Sequence, residues 1–301
     1  MIALACPQCR LALTGDACPV CGRSYEERGG IRRMIREDRA PVIDTFLADY
    51  TKIRLAEGRG SDDPSFYRNL PQCPPDHPTA WQWSIRRHTF DCLRSRVLPM
   101  LGAHRRALDL GAGTGWLSNR LSLLGHEPCA VDLSCDDRDG LGAARHFQTR
   151  FPRIQAEFDA LPFPDAAVDA VIFNASLHYS TDYSKTLSEA LRALAPGGAL
   201  IVLETPVYRR EDSGRRMVEE RHEMFRKRYG TRSDSVPSQE YLTWRKIAAH
   251  GLELNLEWKV VWPWYGWKWA MRPWAARLKR KREPSRFPIL VAFRPRPQRP
   301  C

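Results

Sequence analysis

The residues best suited to chemistry lie in the stretch ALDLGAGTGWLSNRL, residues 107–121. An apolar run ends in an acid, Asp109, and then Gly111, Gly113 and Gly115 alternate with small residues before a helical pattern begins. A strand, a glycine loop and a helix in this order form a binding site for a nucleotide-like ligand. The stretch therefore predicts such a site at the carboxyl end of a strand.

The spacing of the glycines argues against two common nucleotide sites. The dinucleotide fingerprint needs its third glycine at the position of Trp116, and a phosphate-binding P-loop needs a Gly-Lys-Ser/Thr ending that this stretch lacks. Asp109 at the strand tip would repel a pyrophosphate at the helix N-terminus and favour a ligand with an ammonium group. S-adenosylmethionine, a nucleoside-like cation, fits these requirements.

Polar residues at the tips of three further predicted strands suit the same ligand. Asp132, in CAVDLS, is placed to accept hydrogen bonds from both ribose hydroxyls. Asp159, in AEFDALPF, would accept from the adenine amine while Leu161 and Phe163 flank the ring, and Asn174 ends its strand near the expected position of the methyl group. Each acid alone is equally well explained as a helix N-cap. Three acids at successive strand tips beside a glycine loop favour a cofactor site.

These motifs resemble the class I S-adenosylmethionine-dependent methyltransferases, and best the branch that includes the ubiquinone/menaquinone-biosynthesis type. The resemblance covers residues 81–206, through LDLGAGTG, VDLS, FDALPFPDAAVDAVIFNASLHYS and EALRALAPGGALIVLE. It implies an α/β fold with a Rossmann-like sheet of seven strands, the last of them antiparallel. We expect ten residues to bind the cofactor: Asp109, Gly111, Ala112, Gly113, Gly115, Asp132, Leu133, Asp159, Ala160 and Asn174.

The order of apolar strands and helical patterns predicts a parallel sheet with helices on both faces. The strand candidates are 106–110, 127–132, 154–158, 168–174, 199–205, 253–262 and 288–294. The helical patterns are 81–100, 213–230 and 238–249, while the proline-rich residues 57–80 suggest a loop.

A second constellation is the spacing C-x2-C-x8-C-x2-C formed by Cys6, Cys9, Cys18 and Cys21. Four thiolates complete a closed tetrahedral shell around Zn2+, which leaves no open position for catalysis, so we expect a structural metal. The segment is too short to fold on its own core, and the metal would supply that stability. It resembles the small zinc-ribbon activator of tRNA and translation-factor methyltransferases.

The chain is expected to contain three parts. Residues 1–37 form the zinc ribbon, residues 38–80 a linker or cap segment, and residues 81–301 the methyltransferase domain. Within that domain, 207–236 and 263–287 are expected to be lid or acceptor-side insertions, because the family resemblance is poor beyond Thr205.

His178, in SLHYS, is the candidate catalytic base. Methyl transfer from a sulfonium needs a base only when the acceptor must lose a proton. We favour the alternative that His178 packs beneath the cofactor or caps the next helix. Ala175 and Ser176 stand where enzymes that methylate planar amines carry prolines, which leaves oxygen, activated carbon or another nitrogen on a small or lipid-like acceptor.

The positive charge of the chain is concentrated toward its C-terminus. Residues 207–301 hold 23 Lys and Arg against 10 Asp and Glu, and six of the ten Trp lie between Trp258 and Trp274. The segment 258–287 is predicted to be a lid over the pocket, with peripheral membrane contact as the second choice and nucleic acid as the third.

Two functions stay open at this point. The first is a methyltransferase for a small or hydrophobic metabolite, and the alternative is an RNA- or translation-linked methyltransferase that docks its substrate with the ribbon and the basic C-terminal region. The intact acids and glycines argue against a binding protein without activity. The start MIALACPQC has no features of a signal peptide, so we expect a cytoplasmic protein with peripheral contact at the inner face of the membrane. The sequence predicts neither the acceptor atom nor the oligomeric state.

Overall fold

The structure, a computed structural model, describes residues 2–296 and is built around one mixed sheet of nine strands. Two further short strands pair beside it. The strands are β1 (Glu27–Arg28), β2 (Ile31–Arg33), β3 (Arg106–Leu110), β4 (Glu127–Asp132), β5 (Arg153–Gln155), β6 (Val168–Asn174), β7 (Leu194–Leu203), β8 (Val207–Tyr208), β9 (Leu242–Thr243), β10 (Lys259–Val261) and β11 (Ile289–Phe293).

The sheet has the order β1-β2-β5-β4-β3-β6-β7-β11-β10. The six neighbouring strands β2, β5, β4, β3, β6 and β7 run parallel to one another. Strand β11 is antiparallel to both of its neighbours, β7 and β10. The seven strands from β5 to β10 confirm the expected methyltransferase sheet with its antiparallel last strand. The difference from the expectation is that the N-terminal hairpin β1–β2, with its turn at Gly29–Gly30, pairs with this sheet and extends it by two strands.

The helices cover both faces of the sheet. They are α1 (Ala40–Ala56), α2 (Pro64–Asn69), α3 (Ala80–Cys92), α4 (Leu98–Leu101), α5 (Trp116–Leu123), α6 (Tyr183–Ala193), α7 (Glu211–Tyr229), α8 (Trp244–Glu253), α9 (Trp267–Ala270) and α10 (Arg272–Leu278). A π-helical turn at Leu93–Val97 joins α3 to α4, and two 3-10 turns lie at Leu141–His146 and Leu177–Tyr179.

The central strands divide the core into two layers. In β3, Leu108 faces the layer that contains Leu187 of α6, while its neighbour Ala107 faces the layer that contains Leu117 and Leu121 of α5. Alternate residues of a strand point to opposite faces, so a strand covered on both sides reads as a continuous apolar run. This pattern explains why β3, β4 and β6 have the predicted bounds.

The N-terminal segment is joined to the edge of the sheet. Strand β2 pairs in parallel with β5, and the amide of Met34 donates to the Gln155 carbonyl over 2.9 Å. Near the start of the chain, the amide of Ala5 donates to the Pro162 carbonyl over 3.0 Å. The segment therefore packs directly on the strand that leads to Asp159.

The stretch 57–80 is not a loop throughout, which corrects the expectation from its prolines. Asp63 accepts a hydrogen bond from the amide of Ser65 over 2.8 Å and caps α2, whose first residue is Pro64. Proline is well suited to the first turn of a helix, so its presence here starts a helix and does not exclude one.

A second difference lies after α7. The predicted helix 238–249 begins only at Trp244, because Thr243 accepts from the Lys246 amide over 3.2 Å and caps α8. The helix then continues to Glu253, so the predicted strand 253–262 is reduced to β10. No helix within residues 2–296 is both long enough and apolar enough to cross a membrane.

Candidate active site

The glycine loop joins β3 to α5 in a conformation that favours glycine. Gly111, Gly113 and Gly115 have φ values of 73°, 53° and 77°, all in the left-handed region. A Cβ on Gly111 would lie 2.2 Å from the Cβ of Ser176, at the turn after β6. A side chain at Gly111 would therefore separate the tips of two neighbouring strands.

Asp132 lies at the tip of β4 and holds this loop in place. Its carboxylate accepts hydrogen bonds from the amides of Gly113 and Ser134 over 2.8 and 2.7 Å. Burial raises the pKa of Asp132, and the two backbone hydrogen bonds oppose that rise. The side chain lines the cavity described below, where carboxylate oxygens can accept further hydrogen bonds from a ligand.

Asp109 lies behind the loop and is not part of the cavity wall. One of its oxygens accepts from the amide and hydroxyl of Ser118 over 3.1 and 2.8 Å, and the other has no hydrogen-bond partner within the described residues. The carboxyl is fully buried, which raises its pKa to about 7. It therefore contacts the start of α5 directly, and cofactor binding by Asp109 stays a prediction.

Asp159 and Asn174 both line the cavity. Asp159 accepts from the Thr186 hydroxyl over 2.5 Å and lies 3.3 Å from the Lys185 ammonium. Asn174 is buried, and its side-chain oxygen has no partner among residues 2–296. A buried amide oxygen without a partner is rare in folded proteins, which fits a ligand at this point.

The predicted residues divide into two groups by position. Four of them, Asp109, Gly115, Ala160 and His178, are not among the residues that line the cavity. The residues that do line it are Gly111, Ala112, Gly113, Asp132, Leu133, Asp159 and Asn174. Beside Asp159, the aromatic ring that lines the cavity is that of Phe158, whereas Leu161 and Phe163 are buried in the core, which corrects their predicted place beside adenine.

The cavity has a volume of about 1210 Å³ including its opening, and α1 forms one side of it. Ile43, Phe46, Leu47, Tyr50 and Arg54 face the interior, at the spacing of one helix face. The sequence analysis placed α1 in a linker or cap segment and named none of these residues. The helical spacing of these apolar residues in the sequence could have indicated a helix with one buried face.

Aromatic rings surround the space between α1 and the strand tips. The centroids of Phe46, Tyr50 and Tyr179 lie 5.5 to 6.5 Å apart. On the opposite side, the rings of Trp83 and Trp116 lie 5.8 Å apart. Such a wall suits a flat apolar molecule and keeps water out.

His178 is poorly suited to accept a proton at neutral pH. Burial, with Arg221 and Arg54 nearby, lowers its pKa to about 3, and its Nδ1 atom has no partner within the described residues. It does not cap the next helix, because Asp182 does so by accepting from the Lys185 amide over 3.1 Å. A catalytic role for His178 stays a prediction.

The four N-terminal cysteines converge on one point. Their Sγ atoms all lie within 4.8 Å of one another, and those of Cys6 and Cys21 are 3.8 Å apart. Tetrahedral zinc with Zn–S bonds of about 2.3 Å requires sulfurs about 3.8 Å apart. None of the four lines the cavity, so the cluster and the candidate active site are separate.

The cavity also fits the adenosine-containing cation predicted from the sequence. The Thr114 hydroxyl, like the Asn174 side-chain oxygen, is buried at the wall without a partner within residues 2–296. A Cβ placed on Gly113 would meet only the Asp139 carbonyl, at 3.9 Å, so the loop backbone there faces open space. These groups supply hydrogen-bonding partners and room for close approach of a ligand to the backbone.

Comparison with known proteins gives a consistent result. Residues 108–202 match the model of the family described as methyltransferase domain. The demethylmenaquinone methyltransferase of Thermus thermophilus is 41% identical over 120 residues, which are 38% of this chain and 53% of that protein. The ubiquinone/menaquinone biosynthesis C-methyltransferase of Vibrio vulnificus is 34% identical over 125 residues, 40% of this chain and 46% of its own length. The chain thus spans about half the length of these relatives.

A solved structure supports the fold. The YcgJ protein of Bacillus subtilis superposes with a TM-score of 0.51 and 16% sequence identity, covering 71% of this chain and all of that protein. At this identity the likeness concerns the fold alone.

The buried Asp109 predicts a pH dependence of stability. Its folded pKa of about 7 exceeds the ordinary 3.8, so the native state holds a proton that the unfolded chain releases between these values. The free energy of unfolding should therefore fall as pH rises from about 4 to about 7, by an amount on the order of 4 kcal/mol relative to an uncharged side chain. We expect Asp109→Asn to lose this dependence in urea unfolding at pH 4.5, 6 and 8. An equal slope for both proteins would contradict the assignment.

Proposed function

We propose that the chain is a class I S-adenosylmethionine-dependent methyltransferase that methylates a small hydrophobic metabolite, because residues 108–202 match a methyltransferase domain. The observation that carries the proposal is the single cavity in which polar strand tips meet aromatic walls. Asp132 and Asn174 lie on the polar side, and Tyr50, Trp83 and Tyr179 lie on the apolar side. The names of the relatives, a demethylmenaquinone methyltransferase and a ubiquinone/menaquinone biosynthesis C-methyltransferase, agree with an acceptor of this kind.

The proposed cofactor site uses the residues at the tips of three strands. Asp132 would accept from the ribose, Asp159 from the adenine amine, and the loop at Gly111–Gly113 would approach the cofactor through its backbone. When bound, S-adenosylmethionine supplies a methyl group that its sulfonium already activates. Asp109 would act on the cofactor through the loop, because its carboxyl contacts Ser118.

The contribution of the protein is alignment and exclusion of water. Phe46, Tyr50 and Tyr179 close the space over the strand tips, and positioning of two reactants can contribute roughly 7–11 kcal/mol. The pKa of His178, lowered to about 3 by burial, makes it a weak base, so we propose that the acceptor does not depend on it for loss of a proton. We do not favour the RNA- or translation-linked alternative, because a wall of packed rings beneath a helix suits a small molecule.

We further propose a structural zinc ion held by Cys6, Cys9, Cys18 and Cys21. The metal would brace residues 1–37 against the sheet edge that carries the cofactor residues. Residues 38–80 would then act as a cap through α1, and residues 81–301 would form the methyltransferase domain. The segments 207–236 and 263–287 would be acceptor-side insertions.

No residue of the segment 258–287, first predicted as a lid over the pocket, is among the described residues that line the cavity. We propose that this segment touches the inner face of the cytoplasmic membrane. Trp267, Trp274 and Leu278 are 77%, 69% and 87% exposed, and no acidic residue lies between Trp258 and Arg282. Exposed tryptophans among basic residues suit the interface of an anionic bilayer. Such contact would place a cytoplasmic enzyme near a lipid-like acceptor.

Removal of the Asp132 carboxylate tests the proposed function. Asp132→Ala loses both the anchor of the glycine loop and the proposed ribose contacts, so we expect about 100-fold weaker binding of S-adenosylhomocysteine by calorimetry. Wild-type protein should transfer labelled methyl from S-adenosylmethionine to the lipid or small-molecule fraction of a cell extract, and Asp132→Ala should not. Asp137→Ala, which removes a carboxylate that is 71% exposed, is the matched control. Label found only in RNA would contradict the proposal.

The zinc proposal predicts one metal ion per chain in the purified protein. Cys18→Ser removes a buried sulfur of the cluster, so zinc content measured by mass spectrometry and the melting temperature should both fall. Cys92→Ser, outside the cluster, should keep the metal. Equal zinc content in both variants would exclude the proposed ligand set.

The membrane proposal predicts flotation with liposomes. Wild-type protein should float with vesicles of mixed phosphatidylglycerol and phosphatidylcholine, and the double variant Trp267→Ala/Trp274→Ala should float several-fold less, because it loses the apolar anchors. Trp81→Ala removes a tryptophan on α3 that is 65% exposed and should have no effect. Equal loss with Trp81→Ala, or flotation unchanged in the double variant, would argue against this surface.

A further inference from the structure

Four arginines line the cavity, and the first of them, Arg39, precedes α1 and pairs with Glu157 at 3.0 Å. Arg54 belongs to α1, Arg59 follows that helix, and Arg86 belongs to α3. They lie among apolar groups such as Leu47 and Trp83. A buried guanidinium in such a wall is costly unless it is paired, so the partners of each arginine identify where a ligand is needed.

Arg54 and Arg59 also have close partners. Arg54 lies 3.0 Å from the Asp139 carboxylate, and the Nε atom of Arg59 donates to Glu57 over 2.7 Å. These pairs balance the formal charge of the two guanidinium groups. Arg86 differs from these arginines because its nearest carboxylate lies beyond hydrogen-bond distance.

Arg86 is held in position without hydrogen bonds. Its guanidinium lies over the Trp83 ring at 4.5 Å, and its side chain is only 17% exposed. Within residues 2–296 its guanidinium makes no side-chain hydrogen bond, and its one ion pair there is with Glu204. The nearest carboxylate, that of Glu204, is 3.8 Å away, which is beyond hydrogen-bond distance.

Glu204 does not satisfy Arg86 for a second reason. Burial raises the pKa of Glu204, and one of its side-chain oxygens has no hydrogen-bond partner in the described part of the chain. A guanidinium presents five N–H donors in a planar fork that matches two oxygens of an anion. The guanidinium of Arg86, stacked on Trp83, therefore presents N–H donors without acceptors to the cavity.

The fork lies close to the place of methyl transfer. Leu203, the residue before Glu204, is the register partner of Asn174 on the neighbouring strand. Adjacent strands are about 4.8 Å apart, so Glu204 lies close to Asn174 on the neighbouring strand. Arg86, which is next to Glu204, is therefore near enough to Asn174 for one ring-containing molecule to contact both residues. An anion bound by Arg86 would therefore belong to the same small molecule as the acceptor atom.

We propose that Arg86 binds an anionic oxygen of a flat, ring-containing acceptor, either an ionised hydroxyl or a carboxylate, and thereby determines acceptor specificity. This inference rests on the proposed function, because it names the substrate class of the same cavity. Trp83 holds the guanidinium plane, and the aromatic walls receive the ring. A neutral acceptor of equal shape would leave the fork unpaired and bind more weakly.

Calorimetry with protein saturated by S-adenosylhomocysteine tests the inference with two matched pairs of probes. The first pair is 2-hydroxy-1,4-naphthoquinone, an anion at pH 7.5, and its neutral 2-methoxy analogue. The second pair is 2-naphthoate and 2-naphthamide. Wild-type protein should bind the anion of at least one pair about 10- to 100-fold more tightly than its neutral partner. The pair that shows the preference identifies the hydroxyl or the carboxylate.

Three variants complete the test. Arg86→Gln should bind S-adenosylhomocysteine normally and lose the preference for the anion. Arg86→Lys keeps the charge without the fork and should retain only part of the preference. Arg87→Gln, at an exposed position on the same helix, should behave as wild type.

The outcomes separate this inference from the proposed function. Equal binding of anion and neutral partner by wild type, no binding of either anion at millimolar concentration, or a preference kept in Arg86→Gln would each overturn the role of Arg86. If wild type does not bind S-adenosylhomocysteine, the proposed function itself fails. Normal binding of that compound together with no anion preference refutes only the present inference.

Discussion

The close contact between the glycine loop and the turn after β6 is the constraint on which the site depends. Ser176 occupies the space next to Gly111, and its hydroxyl donates to the Leu110 carbonyl over 2.5 Å. This contact fixes the tips of β3 and β6 against each other. Asp132 then anchors the loop from β4, and Asn174 is left with its side-chain oxygen free at the same edge. The polar side of the cavity is thus a result of how tightly three strand tips pack.

The N-terminal segment is connected to the cavity wall by polar contacts. Arg33 of β2 donates to the side chain of Gln155 over 3.1 Å, and Gln155 donates in turn to the Leu133 carbonyl over 2.8 Å. Leu133 lines the cavity. Immediately after the hairpin, Arg39 pairs with Glu157 at 3.0 Å just before α1 begins. The cysteine cluster, the covering helix and the cofactor edge are therefore connected by buried or half-buried polar contacts, and loss of one is expected to loosen the others.

The sequence predicted those elements of the structure that a local pattern of apolar residues determines. Strands 106–110 and 168–174 have the predicted bounds because each is a buried apolar run that ends at a loop. A linker or cap was expected over residues 38–80, but helix α1 and its cavity-facing residues were not predicted, because they are identified by contact with Tyr179, far away in the chain. Arg86 was missed for the same reason, since an arginine on a polar helix face reads as solvated until Trp83 and Glu204 are seen around it. Local periodicity identifies elements, whereas the acceptor side of the cavity depends on how distant elements pack.

The same packing bears on the proposed methyl transfer, which would not depend on a histidine base. A low pKa makes His178 a weak proton acceptor, and raising it would require a carboxylate nearby, whereas Arg54 and Arg221 are its charged neighbours. The positive groups that disfavour protonated His178 also favour an anion in the cavity. An acceptor that enters already ionised needs no base to activate it, because its charge is stabilised by the arginine that recognises it. The interaction of Arg86 with the anionic oxygen would then both select the acceptor and keep it in the ionised form that can react.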